Sequence, residues 1–484
     1  MLQRAPFSGK PRPYREMPGP RRIPLLGMLN DIIHLGKPAE LHRRISEYHD
    51  RYGDLFRIQI GTQQAVFVRD PILMRRTFQL EGPYPRHPLP ESWTYFNRKH
   101  AYQRGLFFMD GSEWLQSRQI LNKPMLKEFD WMEQPIRGVC EAKVAAIQQR
   151  ADQRLTAAPF EGIESFLYKW SVEVVLAVML GESFKRCQES TDFRVLVERF
   201  SRVVYDIFRC SSELMNIPPA IADRLNVQAW QKFERVVPET IRLANAIIEI
   251  GLTNSSKGQG LLTLMAEKLT RSMMMRVFTD FIIAAGDTTA FATVWALHLL
   301  AGNPKMQELV RADVVESGGL ESTAIKGVVR ETLRLYPVAP FIGRFIEKES
   351  TFGGYTLAKD TLVLLSLYSA GRDNRYFRDP THFNPYRWQR VKETGDANSS
   401  NSPDSTPSAS LPFAIGARSC IGQKIAQLQM HYLLSMILTK FELTPDGKQD
   451  EQKVQKSIKP ILKLITVPNK PVKVQFTPLL LPTK

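Results

Sequence analysis

The chain has 484 residues, 43% of them hydrophobic and 24% charged, and a formal net charge of +16. That apolar share excludes a wholly disordered or fibrous chain. At roughly 150 residues per domain the length allows about three domains or one large fold. The four cysteines, at positions 140, 187, 210 and 420, are too few for a disulfide scaffold. The positive charge suits a polyanion, whether nucleic acid, anionic lipid or an acidic protein. No aromatic-basic RNA signature, zinc-finger spacing or long basic run favours nucleic acid.

In chain order, residues 1–22 carry Arg4, Lys10, Arg12, Arg15, Arg21 and Arg22 against one acid, Glu16. The segment lacks an apolar core, so it is not a secretory signal. It reads either as an import presequence or as a solvated basic tail. Helical periodicity follows over 39–52, then strand-like alternation over 55–60 and 65–68. From about 110 to 335 the pattern is mostly helical. Short apolar strands return over 337–370. Residues 393–410 form a polar, Ser-rich surface loop. No run of 18 apolar residues predicts a transmembrane helix. The expected fold is mainly α with a small β-rich part whose strands come from both ends of the chain, in a single domain spanning 23–484.

Four constellations carry chemistry. Phe413, Gly416, Arg418, Cys420 and Gly422 lie on one short loop that opens a helix over 423–440. The glycines let the backbone approach a flat ligand. The helix N-terminus and Arg418 favour a thiolate at Cys420; a buried, inert cysteine is the alternative. Glu331 and Arg334 share one helix face at i, i+3, which in isolation is an ordinary surface pair. Trp114 and Arg118 share a face at i, i+4. Asp287, Thr288 and Thr289 interrupt an apolar helix over 277–300, where such residues are poor helix formers and costly to bury. Hydroxyls bonded back to the preceding turn would satisfy them. A glycine pair at Gly258 and Gly260 lacks the third glycine of a nucleotide loop.

The spacing F-x-x-G-x-R-x-C-x-G over 413–422 resembles the haem loop of the cytochrome P-450 family. The resemblance implies a haem-thiolate monooxygenase with Cys420 as axial iron ligand and Phe413, Gly416 and Gly422 shaping its loop. Thiolate ligation favours O–O cleavage. It further implies a buried structural triad of Glu331, Arg334 and Arg387, and haem propionates held by Trp114, Arg118, Arg344 and Arg418, guanidinium being suited to carboxylate. Asp287 and Thr288 would relay protons at an oxygen-binding kink. Ala285 stands where the family usually has Gly, and Gly286 follows it.

The mitochondrial class of that family takes electrons from NADPH through a ferredoxin reductase and an acidic ferredoxin. Lys326, Arg330 and Lys424 match its docking cations. Blocks over 82–93, 103–110, 284–291, 333–344, 364–373 and 411–422 resemble the insect members of this class that hydroxylate ecdysteroids at C2. Another mitochondrial ecdysteroid or sterol hydroxylase, for example at C22, or a non-oxygenating haem-thiolate isomerase or sensor, is the alternative. The implied cofactor is haem b with O2 as co-substrate. The implied partners are a ferredoxin, an ecdysteroid and the matrix face of the inner mitochondrial membrane, without nucleic acid. By family position Trp93, Phe108, Ala284, Ala285, Val338, Phe341 and Ile342 line the substrate pocket; the same residues would equally serve as core. Residues 215–222 form a Pro-broken apolar loop, which reads as shallow membrane contact or as ordinary packing.

Overall fold

The computed structural model describes residues 10–21, 34–60, 63–153, 160, 162–254, 260–389, 406–445 and 457–479. Residues 1–9 of the basic N-terminus, Arg22, most of the 393–410 loop and Gly258 fall outside the described residues.

Helices dominate. α1 (Leu41–Tyr52), α2 (Pro71–Gln79), α3 (Glu91–Lys99), α4 (Gly111–Asn122), α5 (Glu133–Gln153), α6 (Ile163–Leu180) and α7 (Ser183–Glu189) occupy the first half. α8 (Thr191–Glu213), α9 (Pro219–Arg224), α10 (Gln228–Asn254), α11 (Leu261–Met265), α12 (Arg271–Ala301), α13 (Pro304–Ser317) and α14 (Thr323–Leu335) follow, then the short α15 (Leu367–Ala370) and α16 (Gln423–Lys440). Local chemistry sets their starts. Asp70 accepts from the Ile72 and Leu73 amides at α2, Thr270 from Met273 at α12 and Ser322 from Ile325 at α14, each satisfying an orphan donor of a first turn.

The principal sheet joins distant parts of the chain. β1 (Leu55–Ile60) pairs antiparallel with β2 (Gln63–Val68). β2 runs parallel to β4 (Leu362–Ser366), with Ala65 beside Leu362. β4 pairs antiparallel with β3 (Phe341–Phe345), with Val363 beside Arg344. The strands therefore do come from both ends, as their sequence positions predict.

The main core lies among helices. α12 packs along α6, α6 along α5, and α5 along α16. α12 is apolar on nearly every side, which is why it sits in the interior. By length and composition it is also the one helix among the described residues able to cross a membrane, and 72% of that window is buried in the fold. Its few polar side chains break any long run of apolar residues, so counting such runs misses it. Trp295 of α12 stacks on Tyr336 just beyond α14, with ring centroids 3.8 Å apart.

Residues 215–222 are more ordered than a loop: a 3-10 turn over Leu214–Asn216 leads into α9. Pro218 and Pro219 stand at the start of α9, where a missing N–H costs nothing. Met215, Ile221 and Leu225 are exposed, whereas Ala222 is buried.

Candidate functional site

The cysteine loop folds on itself before α16 begins. The Cys420 amide donates to the Phe413 carbonyl at 2.8 Å, and the Ser419 amide to Gly416 O at 3.2 Å. Gly416 has φ +82°, and a Cβ there would stand 2.5 Å from Glu81 Oε1, so both backbone and space require glycine. Cys140, Cys187 and Cys210 are buried, but Cys420 keeps exposed surface. Protein atoms nevertheless surround its thiol closely enough that burial pushes its pKa up. The exposed surface therefore faces an interior hollow. Ala284 is likewise exposed within the otherwise buried middle of α12. Gly422 is open enough that a built Cβ meets only the Cys420 sulfur, at 4.0 Å.

The arginines converge on this loop. Arg118 donates through Nη1 to Ser419 O at 2.7 Å and through Nε to Asn122 at 2.7 Å. Arg418 stacks over the Trp114 ring at 4.3 Å and donates to Asp110 Oδ1 at 2.6 Å and Met109 O at 2.5 Å. Its Nε is buried without a partner. Arg344 Nη2 reaches Arg418 O at 3.4 Å. Burial lowers the Arg118 and Arg418 guanidinium pKa values to about 10. Desolvated cations with open donors suit carboxylates.

Two expectations need correction. Arg418 points toward Asp110 and Trp114, so the cation acting on Cys420 is Arg118. The net shift of the Cys420 thiol is upward, because burial outweighs the Gly422 hydrogen bond and Arg118, which favour the thiolate.

The sequence reading missed Glu81. Its buried carboxylate takes Arg344 Nε at 2.6 Å through Oε2 and the Ala417 amide at 3.3 Å through Oε1. Burial raises its pKa while Arg344 opposes the rise. His87 lies nearby with Nε2 sealed and unpartnered, held down to about 3 by burial, then by Arg418 and Arg344. Neither residue has a periodicity or spacing that marks it in the sequence.

The triad residues meet in a fully buried network. Arg334 binds Glu331 through Nε at 2.9 Å and Nη2 at 2.7 Å. Arg387 Nε binds Glu331 Oε1 at 2.9 Å. Trp388 Nε1 adds a bond to Oε2 at 3.0 Å, and the Asn384 amide one to Oε1 at 3.1 Å. Arg334 also holds the Pro380 carbonyl at 2.6 Å and that of Gly371. α14 is thus stitched to the segment leading to the cysteine loop.

On α12, Thr288 Oγ1 donates to Ala284 O at 3.0 Å, the bond back to the preceding turn. The helix continues unbroken through this stretch. From outside it, Ser171 Oγ of α6 donates to Ala285 O at 2.7 Å. Gly286 leaves no spare room: a Cβ there would stand 2.4 Å from the Tyr168 ring and hydroxyl. Its smallness admits Tyr168 rather than a kink.

The expected pocket residues divide. Trp93 is buried, and its Nε1 donates to Ser211 at 2.9 Å. Phe108 is half-buried at 5.8 Å from the Trp93 ring. Val338, Phe341, Ile342 and Ala285 are half-buried. Of the expected docking cations, Lys326 is 44% exposed and 3.6 Å from Glu321. Arg330 lies over the Trp388 ring at 4.3 Å and Lys424 over Phe129 at 4.5 Å. These two are less free than the sequence suggests.

The cytochrome P450 family model matches residues 17–476. The chain belongs to the cytochrome P450 family. Cytochrome P450 315a1, mitochondrial, of Drosophila melanogaster is 38% identical over 502 residues, covering 99% of this chain and 92% of that protein. The mitochondrial 1,25-dihydroxyvitamin D(3) 24-hydroxylase of Mus musculus is 26% identical, covering 97% and 90%. The mitochondrial cholesterol side-chain cleavage enzyme of Equus caballus is 26% identical, covering 98% and 91%. The chain is thus a P450 monooxygenase of the mitochondrial class, a class built on haem-thiolate chemistry with oxygen. The residues present fit that group: an enclosed but accessible thiol, desolvated guanidinium groups around its loop and an exposed Ala284.

Proposed function

We propose that this P450 hydroxylates a 2-deoxyecdysteroid at C2 in mitochondria, on the matrix face of the inner membrane. The observation that carries the chemistry is the accessible Cys420 thiol in a densely enclosed loop bordered by Arg118, Arg418 and Arg344. The substrate assignment rests on the block resemblance over 82–93 and 103–110, which covers more than the shared haem motifs.

In this reading Cys420 holds the iron, while Arg118, Arg344, Arg418 and Trp114 receive the propionates. Haem bound there supplies the reductive activation of oxygen. The chain's own residues manage orientation and protons. Thr288 donates its hydroxyl proton to Ala284 O, which leaves its oxygen lone pairs to accept from a neighbour. Asp287 is buried, and burial raises its pKa well above the usual 3.8, which favours the protonated form. Phe108 and Val338, packed on the helical core, offer apolar contact to a rigid sterol skeleton, whereas Phe341 packs on Phe67 and Ile342 faces the other side of its strand. Lys326, Arg330 and Lys424 present positive charge to an acidic ferredoxin, which steers encounter. Exposed Met215, Ile221 and Leu225 offer shallow contact to a membrane surface.

The reduced protein with carbon monoxide will show the strongly red-shifted Soret band of thiolate ligation, and Cys420→His will lose it. Survival of that band in the variant defeats the ligand assignment. Incubation with ferredoxin, its reductase, NADPH and 2-deoxyecdysone will give a product with a new C2 hydroxyl. A product hydroxylated at C22 or elsewhere rejects the C2 assignment and leaves the haem assignment standing.

A further inference from the structure

We infer that Tyr168, backed by Tyr205, resupplies protons to Asp287 from solvent, a role that rests on reading Asp287 as a proton donor. Three observations carry it. Tyr168 Oη and Asp287 Oδ2 are both sealed from solvent without a hydrogen-bond partner. They stand at one turn of α12, because the Tyr168 hydroxyl presses against Gly286, where a Cβ would be 2.4 Å away. The Tyr205 ring of α8 lies perpendicular to the Tyr168 ring at 6.2 Å and is 50% exposed.

Buried polar groups are almost always satisfied. Here a phenolic donor and a carboxyl acceptor, neither atom with a hydrogen-bond partner, are neighbours in the interior. Their chemistry is complementary, and the Gly286 gap is what brings them together. Burial is the sole cause raising the Asp287 pKa, so no cation offsets a charge there. Burial, then Asp287, raises that of Tyr168. Burial thus favours the neutral form of both groups.

The need for Tyr168 arises after Asp287 gives its proton toward Thr288. The carboxylate left behind is buried, with no ion pair among the described residues. Such an anion demands a hydrogen-bond donor. Tyr168 is that donor. Its O–H bond breaks as the proton passes to Oδ2, and a proton arriving by way of Tyr205 restores the phenol. The net transfer is one proton from solvent to Asp287, with no change of oxidation state. Tyr168 acts through Asp287, so it is a positioning residue rather than a catalytic one.

The test compares Tyr168→Phe, Tyr205→Phe and Asp287→Asn in the haem-loaded enzyme and, by infrared difference spectroscopy, in the resting protein. The neutral Asp287 carbonyl band, identified by its loss in Asp287→Asn, will shift in Tyr168→Phe, because the phenol dipole beside the carboxyl is removed. Turnover in Tyr168→Phe will fall on the order of tenfold, more of the NADPH will end as hydrogen peroxide, and the solvent deuterium isotope effect will grow. Tyr205→Phe, at a half-exposed position, will show a smaller change in the same direction and serves if Tyr168→Phe folds poorly. An unmoved band with an unchanged peroxide share overturns the inference. Normal turnover in Asp287→Asn overturns the Asp287 reading, and the Tyr168 role with it. Impaired Asp287→Asn beside unaffected tyrosine variants overturns the Tyr168 role alone.

Discussion

Arg344 Nε donates to Glu81 Oε2 across 2.6 Å, with the two side chains only 5% and 4% exposed. The second Glu81 oxygen takes the Ala417 amide. One carboxylate therefore ties the strand of Arg344 to the cysteine loop, three residues before the thiol. The contact joins residues far apart in sequence, so only the folded chain discloses it.

Glu81→Ala will leave a buried guanidinium without its counter-charge. Breaking one partner of such a pair costs about 3–5 kcal/mol. Glu81→Gln keeps an acceptor for Ala417 and will cost less. The haem-to-protein ratio after purification and the melting temperature should both rank wild type above Gln above Ala. Equal values for wild type and Ala would show that Arg344 and the loop hold their places unaided.

The Glu331 network predicts a harsher outcome. Glu331 accepts from Arg334, Arg387, Trp388 and the Asn384 amide. Glu331→Gln keeps the size but loses the charge that faces two buried guanidinium groups. Arg334→Ala also releases the carbonyls of Gly371 and Pro380. Neither variant is expected to yield soluble, haem-loaded protein, because several kcal/mol are at stake against a typical net stability of about 5–15 kcal/mol. A soluble, haem-replete Arg334→Ala protein would refute the structural role.

Folding stability should depend on His49. Its ring is buried, bonded to Gly53 O at 3.0 Å and Ser366 Oγ at 2.8 Å, and burial lowers its pKa from 6.5 to about 4. The unfolded chain binds a proton near pH 6.5 that the folded chain refuses until about 4. The contribution is therefore complete above 6.5 and is lost as pH falls from 6.5 to 4. The melting temperature will decline across that window, and His49→Gln will decline less. Parallel curves for the two proteins would assign the acid sensitivity elsewhere.

The elements with strong periodicity were legible in the sequence. α16 begins and ends where its pattern predicts, and the Glu331 to Arg334 face belongs to α14 as its spacing requires. Fixed motif spacing located Cys420, Trp114 and Arg118, and the structure brings their neighbourhoods together. Glu81, His87, Tyr168 and Ser171 were not legible. Each acts through a tertiary contact with α12, the cysteine loop or its arginines, and a single carboxylate or phenol carries no periodic mark. Side-chain direction was hidden for the same reason: the sequence shows Arg418 beside Cys420, but Asp110 and Trp114 decide where its guanidinium goes. Nor does the sequence show that a tyrosine from another helix fills the space beside Gly286.

Electron delivery gives the remaining prediction. Lys326 is the one of the three expected docking cations not stacked on a ring, since Arg330, although exposed, and Lys424 rest on aromatic rings. Its neighbour Glu321 is 86% exposed at 3.6 Å, a pair that solvent screens heavily. Reversing the charge by Lys326→Glu should then leave folding and haem content intact while slowing ferredoxin reduction of the iron. The deficit should shrink as salt rises, because steering between surface charges is screened over roughly 8–10 Å at 0.10–0.15 M ionic strength. Stopped-flow reduction at two salt concentrations measures both effects. Arg330→Gln is expected to slow reduction less and to lower the melting temperature more, since its guanidinium packs on Trp388, which itself bonds Glu331. Reduction kinetics unchanged by Lys326→Glu at low salt would move the docking surface away from α14.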